Sequence, residues 1–125
     1  MWQKIAWLAL AGALGTLTRY GLGGFAHRFH QGSFPVGTLT VNAVGCLLFG
    51  FVWIAAEERA FISTETRVIV LTGFMGALTT FSTYVFDSGQ MLRNSEWLLA
   101  GGYFFIQNAL GLFCLYLGTV LARWV

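Results

Sequence analysis

Residues 73–84 read GFMGALTTFSTY and lie inside a long run without charged residues. Such a run is long enough to cross a bilayer, which takes about 20 helical residues. Its centre is unsuited to a simple apolar helix, because Gly73 and Gly76 weaken the helix and the pair at 79–80 adds threonine hydroxyls and β-branching. Non-helical backbone is tolerated at that depth only where protein or a water-filled cavity surrounds it. The stretch therefore predicts a broken membrane helix and a candidate ion site.

The composition indicates that the whole chain is an all-α membrane protein. Of the 125 residues, 57% are hydrophobic and only 10% are charged, whereas a soluble domain carries about 25% charged residues. At roughly 20 residues per span, the chain supplies four spans and no extramembrane domain. We therefore expect residues 1–125 to form a single four-helix transmembrane domain, with a first helix that is not a cleaved signal peptide. The lipid bilayer is an expected partner, and nucleic acid is not, because the net charge is only +2.

The four predicted spans are separated by short polar segments. They cover residue 3 to the mid-twenties, 36–56, 68–87 and 97–122. The basic residues of the connections are only weakly biased to one side, with Lys4, Arg59, Arg67 and Arg123 opposite Arg28 and Arg93, plus Arg19 if it reaches that interface. Such a weak bias lets a subunit insert both ways up. Two opposite copies would be related by a two-fold axis in the membrane plane, as in inverted repeats, so we expect an antiparallel homodimer.

One face of the first span combines small residues with a charge. Gly12, Gly15, Arg19 and Gly23 share this face, and small residues let two helices approach closely. Two interpretations of Arg19 remain open. Its side chain either snorkels to the interface from the helix end, or provides an interior positive charge that orders a helix or attracts anions.

The second and fourth spans carry uncharged polar residues at helical spacing. Thr38 and Asn42 are four residues apart in the second span, and Tyr103 and Gln107 are four apart in the fourth. An intramembrane asparagine either hydrogen-bonds a neighbouring helix or offers its amide N–H groups to an anion. The spacing does not decide between these two roles for Asn42.

Several classes of membrane protein compete for this chain. Catalysis is not expected, because the carboxylates lie at span ends and no nucleophile has a base at membrane depth. A proton-coupled exporter of the small multidrug resistance type needs a carboxylate in the middle of the first helix, where this chain has Arg19. A non-conducting packing subunit would not need polar residues in three spans. A passive pathway for a small anion suits the donors best, because aromatic ring edges are also electropositive.

Three stretches resemble the signature stretches of the Fluc (CrcB) fluoride channels. They are GxxGxxxRY over 12–20, GTLxVNxxG over 37–45 and GxxGxxTTFST over 73–83. The resemblance covers essentially the whole chain. It implies an antiparallel dual-topology homodimer with two pores in the bacterial inner membrane. Such a channel exports fluoride passively and lowers its cytoplasmic concentration.

The resemblance also implies roles for individual residues. Asn42 resembles the pore asparagine, and Phe81 resembles the first of two phenylalanines whose ring edges meet fluoride. The second of these positions holds Tyr84, which departs from the family and adds a phenolic hydroxyl. Further residues near the family's polar track are Thr38, Ser82, Thr83, Tyr103 and Gln107, and Asp87 stands where the family often has a glutamate.

A structural sodium ion is a further implication of the resemblance. In the family this ion lies on the two-fold axis of the dimer and is held by backbone carbonyls at the helix break. In this chain those carbonyls belong to Gly76 and Thr79 of both subunits. Sodium prefers hard oxygen ligands, and unwound backbone supplies them without a buried carboxylate.

Overall fold

A computed structural model of the chain describes residues 2–30, 32–58 and 62–125. Its described residues are helical apart from short connections, which confirms the predicted all-α class. The helices are α1 (Trp2–Arg28), α2 (Val36–Glu57), α3 (Thr64–Val68), α4 (Gly76–Leu78), α5 (Phe81–Arg93) and α6 (Trp97–Trp124). A π-helical segment (Ile69–Met75) joins α3 to α4 without interruption.

Among the described residues, three helical segments are long and apolar enough to cross a membrane. They are α2, the joined segment Thr64–Arg93 and α6. The 27 residues of α1 give a helix about 40 Å long. The glycines, threonines and Arg19 of α1 make it less apolar than the other three, and it does not count among these candidates.

The break in the third predicted span is two residues wide. Thr79 (φ −85°, ψ 160°) and Thr80 (φ −149°, ψ 115°) are extended, between the end of α4 and the start of α5. The prediction of a broken helix is confirmed, but the glycines do not form the break, since Gly73 lies in the π-helical segment and Gly76 begins α4. The Thr80 hydroxyl accepts a hydrogen bond from the N–H of Thr83 (3.2 Å) and so caps α5.

The third predicted span also ends later than the sequence indicated. We expected its end near Asp87, but α5 continues to Arg93. A helix needs no apolar residues for its own backbone hydrogen bonds, so it extends past the apolar run until the local conformation ends it. Here Ser95 has φ 62°, in the left-handed region that commonly follows a helix.

Close backbone contacts hold the helices together. Helix α2 packs mainly against α6, and α1 packs against the π-helical segment, α2 and α4. A Cβ atom on Gly50 or Gly118 would collide with the backbone of the opposite helix in the α2–α6 pair. Gly15 of α1 meets the carbonyl of Phe74 in the same way. The predicted close-approach face of α1 is therefore confirmed at Gly15.

One end of the helices carries ion pairs. Arg67 of α3 pairs with Glu57 at the end of α2 and stacks over the ring of Trp53, 5.1 Å from its centroid. Arg123 of α6 pairs with Glu58 at 2.8 Å. Arg59, one of the basic residues of the predicted connections, lies outside the described residues.

Large apolar side chains cover much of the surface of the single chain. Leu98 is 95% exposed and Phe105 is 73% exposed, both on α6. A contiguous apolar surface of this kind is suited to contact with lipid or with another protein.

Candidate functional site

Asn42 of α2 holds the extended backbone at the break. Its side-chain oxygen accepts the N–H of Thr80 (2.8 Å), and its Nδ2 donates to the Thr80 carbonyl (3.1 Å). Rotating the amide by 180° would place its nitrogen against the Thr80 N–H, donor against donor, and its oxygen against the Thr80 carbonyl, acceptor against acceptor. These two bonds therefore set the orientation of the amide. Asn42 therefore bonds a neighbouring element, the first of its two predicted roles. Its second Nδ2 hydrogen has no partner among these bonds.

Arg19 of α1 reaches the break from the other side. Its Nη1 donates to the carbonyl of Thr79 (3.4 Å). Because Arg19 is partly buried and bonded to an interior carbonyl, the structure favours an interior charge that orders a helix over a snorkelling side chain. Two side chains from two different helices thus replace backbone partners that a continuous helix would have.

The break leaves backbone carbonyls without their usual helical donors. The N–H of Thr80 bonds to Asn42, so it does not reach the carbonyl of Gly76, four residues earlier. The N–H of Thr83 bonds to the Thr80 hydroxyl, so it does not reach the carbonyl of Thr79. Gly76 is exposed as well. These oxygens are the hard ligands that a small cation prefers.

Across residues 2–30, 32–58 and 62–125, no group of three or more His, Cys, Asp and Glu side chains is placed to hold a metal.

A cleft of about 380 Å³ lies on the α6 side of the break. We call it the aromatic cleft, and its lining includes the predicted site residues Asn42, Thr79, Phe81, Tyr84 and Gln107, together with Thr80. A second cleft of about 460 Å³, the arginine cleft, lies on the α1 side. Its lining includes Arg19, His27, Thr38, Thr80, Ser82 and Thr83. Most of the predicted residues are thus divided between two clefts that share Thr80, whereas Gly76, Asp87 and Tyr103 line neither cleft.

Asp87 gathers two of the predicted hydroxyl donors. Its carboxylate accepts hydrogen bonds from Thr38 (2.8 Å) and from Tyr103 (3.4 Å). Tyr103 is fully buried and lies outside the residues that line the two clefts. In this arrangement the hydroxyl hydrogens of Thr38 and Tyr103 point to a carboxylate. An anion could take them only by displacing that bond.

The two aromatic residues of the predicted pore differ in exposure. Phe81 is 76% exposed, whereas Tyr84 is 7% exposed and lies in the core with Tyr103. The ring centroids of Phe81 and Tyr84 are 5.8 Å apart and their planes are tilted by 59°. Gln107 also lines the aromatic cleft, and its Oε1 is buried without a hydrogen-bond partner among the described residues.

Two residues of the site were not predicted from the sequence, and a third, Thr80, was noted as half of the threonine pair at 79–80 but given no role in the site. Thr80 lines both clefts, and its spacing to Thr83 is the capping signal that would have indicated it. His27 lines the arginine cleft. Asn108 lines the aromatic cleft and donates to the hydroxyl of Tyr84 (3.3 Å). No local pattern identifies the last two, because their roles depend on contacts between helices.

The fold and the clefts define a helical, multi-pass membrane protein with a polar site at a broken span. Residues 6–119 match the family described as CrcB-like protein, Camphor Resistance (CrcB). The chain belongs to this CrcB family.

Relatives named "Fluoride-specific ion channel FluC" align with nearly the whole chain. The relative from Nitrosococcus oceani is 57% identical over 123 residues, which cover 98% of each chain. The relative from Nitratidesulfovibrio vulgaris (strain Miyazaki F) is 51% identical over 98% of this chain and 99% of its own. A more distant relative, from Salinibacter ruber, is 42% identical over 93% of this chain and 86% of its own.

Proposed function

We propose that this protein is a fluoride-selective passive channel that exports fluoride and lowers its cytoplasmic concentration. The observation that carries the proposal is the meeting of uncharged hydrogen-bond donors at the broken span, in a chain 57% identical to a protein named as a fluoride-specific channel. The family and the names of these relatives agree with the prediction that the protein is not an enzyme, because they describe a channel.

Uncharged donors are suited to the conduction of fluoride. A selective site must replace the water shell of the ion, and it must also bind weakly enough to release the ion. A buried lysine or arginine in direct contact would hold a small anion too tightly for rapid passage. Amide, hydroxyl and aromatic edge groups provide partial positive charge without a full ionic bond.

The proposed route passes through both clefts. Arg19 in the arginine cleft raises the local concentration of anions. Ser82 and Thr83 follow there as donors, and the Thr83 hydroxyl is free to donate because it accepts its bond from Thr80 (2.9 Å). Thr80 joins this cleft to the aromatic cleft.

In the aromatic cleft the ion would meet the second amide hydrogen of Asn42 and then the ring edges of Phe81 and Tyr84. Gln107 contributes at the same cleft through its amide group. Thr38 and Tyr103 would contribute only when they exchange their bonds to Asp87 for bonds to fluoride.

The proposed assembly is an antiparallel homodimer of single four-helix domains, each covering residues 1–125, with α1 as the fourth span. The exposed apolar surface of α6 and the outward-facing ring of Phe81 support a second copy that covers them. Tags on the N-terminus, probed from each side of the membrane, should be found on both sides. Finding every N-terminus on one side would contradict dual topology.

A structural sodium ion is part of the proposal. The Gly76 carbonyl suits it, because Gly76 is an exposed residue and its carbonyl has lost the N–H of Thr80 as a helical donor. The Thr79 carbonyl also suits it as a hard oxygen, although it is shared with the guanidinium of Arg19. The ion would offset the repulsion between the carbonyl oxygens that two copies bring together. Replacing sodium with a large organic cation should lower the unfolding temperature of the purified dimer, and an unchanged temperature would contradict the site.

The bacterial inner membrane is the proposed location, because apolar helical spans and bacterial relatives both favour it. Fractionation of cell membranes tests this directly. Recovery of the protein with the outer membrane would contradict it.

Fluoride efflux from liposomes, followed with an ion-selective electrode, tests the function. We expect efflux that needs only a counter-ion shunt and that is absent for chloride. Efflux that depends on a pH gradient would instead indicate the proton-coupled exporter. No efflux of either ion from correctly assembled protein would indicate a non-conducting subunit.

A further inference from the structure

Asn108 is held by its own helix and points its amide nitrogen at Tyr84. Its Nδ2 donates to the carbonyl of Phe104 (2.7 Å), one turn earlier in α6, and to the hydroxyl oxygen of Tyr84 (3.3 Å). An amide nitrogen has two hydrogens, so one is available for each acceptor. The bond to Phe104 fixes which side of the amide faces the tyrosine.

This arrangement determines how the Tyr84 hydroxyl is used. A phenol has one hydrogen to donate and an oxygen that accepts. Because the oxygen accepts from Asn108, the hydrogen is left for another acceptor. The ring cannot swing freely, since Tyr84 is 7% exposed and packs against Phe81, Tyr103 and Phe104 with centroids 5.8, 5.4 and 6.4 Å away. Tyr84 and Asn108 both line the aromatic cleft.

We infer that Asn108 is a positioning residue that turns the hydroxyl of Tyr84 into a fixed hydrogen-bond donor for the conducted anion. The inference rests on the proposed function. Donation by the amide polarises the phenol and strengthens its own O–H as a donor. The site then has a full hydrogen bond where a phenylalanine would present ring edges alone. It remains uncharged, so the anion is still released.

A double-mutant cycle tests the inference. Tyr84→Phe removes the donor, and Asn108→Ser removes the bond to Tyr84 while the serine hydroxyl still bonds the carbonyl four residues earlier. A hydrogen bond to a charged group is strong enough to change affinity by about tenfold. We expect each variant to raise the half-saturating fluoride concentration for liposome efflux by about that factor. The double variant should raise it no further.

The matched control is Asn94→Ser. Asn94 is exposed at the end of α5 and lines neither of the two clefts described above. We expect its half-saturating concentration to equal that of the original protein. Asn108→Gln, which keeps an amide donor one methylene farther from the backbone, should recover part of the loss. If the purified Asn108→Ser variant does not form an assembly of the same size as the original protein, Asn108→Leu replaces it in the cycle.

The outcomes separate the inference from the function on which it rests. If the original protein conducts no fluoride, the proposed function fails. If it conducts and Asn108→Ser is unchanged, the inference alone fails. Independent, multiplying effects of the two substitutions would also overturn it, because they would mean that Asn108 acts without Tyr84. A silent Asn108→Ser substitution in the Tyr84→Phe background supports it.

Discussion

The break at 79–80 and the α2–α6 pair satisfy their backbone hydrogen bonds in opposite ways. In the α2–α6 pair, two continuous helices satisfy their own backbone and approach closely at Gly50 and Gly118. At the break, the backbone gives up helical bonds and takes partners from Asn42 and Arg19 on other helices. Close packing of the α2–α6 pair requires glycines, which have no side chain, whereas the backbone at the break requires the particular side chains of Asn42 and Arg19.

The difference indicates where function and stability reside. A backbone satisfied within its own helix can face lipid without cost, whereas a broken one must be surrounded by polar groups. Those polar groups are the ones that line the two clefts. We therefore expect substitutions at the break to change conduction, and substitutions in the α2–α6 pair to change stability.

The largest effect is expected for Asn42→Asp. A carboxylate can still accept the Thr80 N–H, but it has no hydrogen for the Thr80 carbonyl and places negative charge in the anion route. Loss of more than about 4 kcal/mol of ion stabilisation corresponds to a decrease of about 1,000-fold in efflux. Asn94→Asp makes the same change at an exposed position outside the clefts and should conduct normally. Normal efflux from an assembled Asn42→Asp protein would remove this residue from the route.

Phe81→Ile is expected to have the next largest effect. It keeps an apolar side chain but removes the electropositive ring edge, and we expect about 50-fold slower efflux, a little over 2 kcal/mol. Phe105→Ile is the matched control, because Phe105 is similarly exposed (73% against 76%) and lies outside the residues that line the clefts. Equal effects of the two substitutions would mean that the Phe81 ring only covers surface.

In the α2–α6 pair, Gly118→Ala should destabilise the protein without altering selectivity. The added methyl group meets the backbone of Leu47, which cannot move aside as a flexible side chain would. Overpacking of this kind costs about 2 kcal/mol. Gly102→Ala in the same helix meets nothing within 4 Å and should be neutral or slightly stabilising. The midpoints of thermal unfolding in detergent compare the two, and a Gly118→Ala midpoint no lower than that of Gly102→Ala would contradict the close packing.

The smallest effect is expected for Arg19→Gln. Glutamine keeps a polar side chain at this position, but the charge that attracts anions is lost. We expect about a threefold decrease in efflux at low salt, and a smaller difference at high salt, because salt screens the long-range attraction between Arg19 and anions that approach from solution. Arg19→Lys keeps the charge and should conduct almost normally. A loss as large as that of Asn42→Asp would instead assign Arg19 to the integrity of the break.

Much of the fold followed from local patterns. The break was predicted because threonines stand where apolar helix formers are expected, yet the glycine pair was a poor guide to its location. In the π-helical segment and α4, neighbouring helices such as α1 stabilise the helical backbone, and this outweighs the weak propensity of Gly73 and Gly76. The end of α5 was missed because hydropathy measures contact with lipid and says little about where helical hydrogen bonding stops.

The candidate site was predicted unevenly. Asn42, Phe81 and Tyr84 were assigned to the pore through the resemblance to the fluoride channels, and they do line one cleft. The bond of Asn108 to Tyr84 escaped prediction, because these residues are 24 positions apart and on different helices. The hydrogen bond from the Thr38 hydroxyl to Asp87 was not predicted for the same reason, because these residues are 49 positions apart.

The amino-acid sequence by itself determined that the chain is a helical membrane protein with an interrupted span and uncharged polar groups near the interruption. Those properties depend on hydrophobicity, helix propensity and periodicity, which are local quantities. Only the tertiary structure decided which groups replace the missing helical bonds, which hydroxyls are already engaged, and which residues face each cleft. A hydrogen bond depends on the distance and direction between two atoms, and for residues on different helices the packing of those helices sets both.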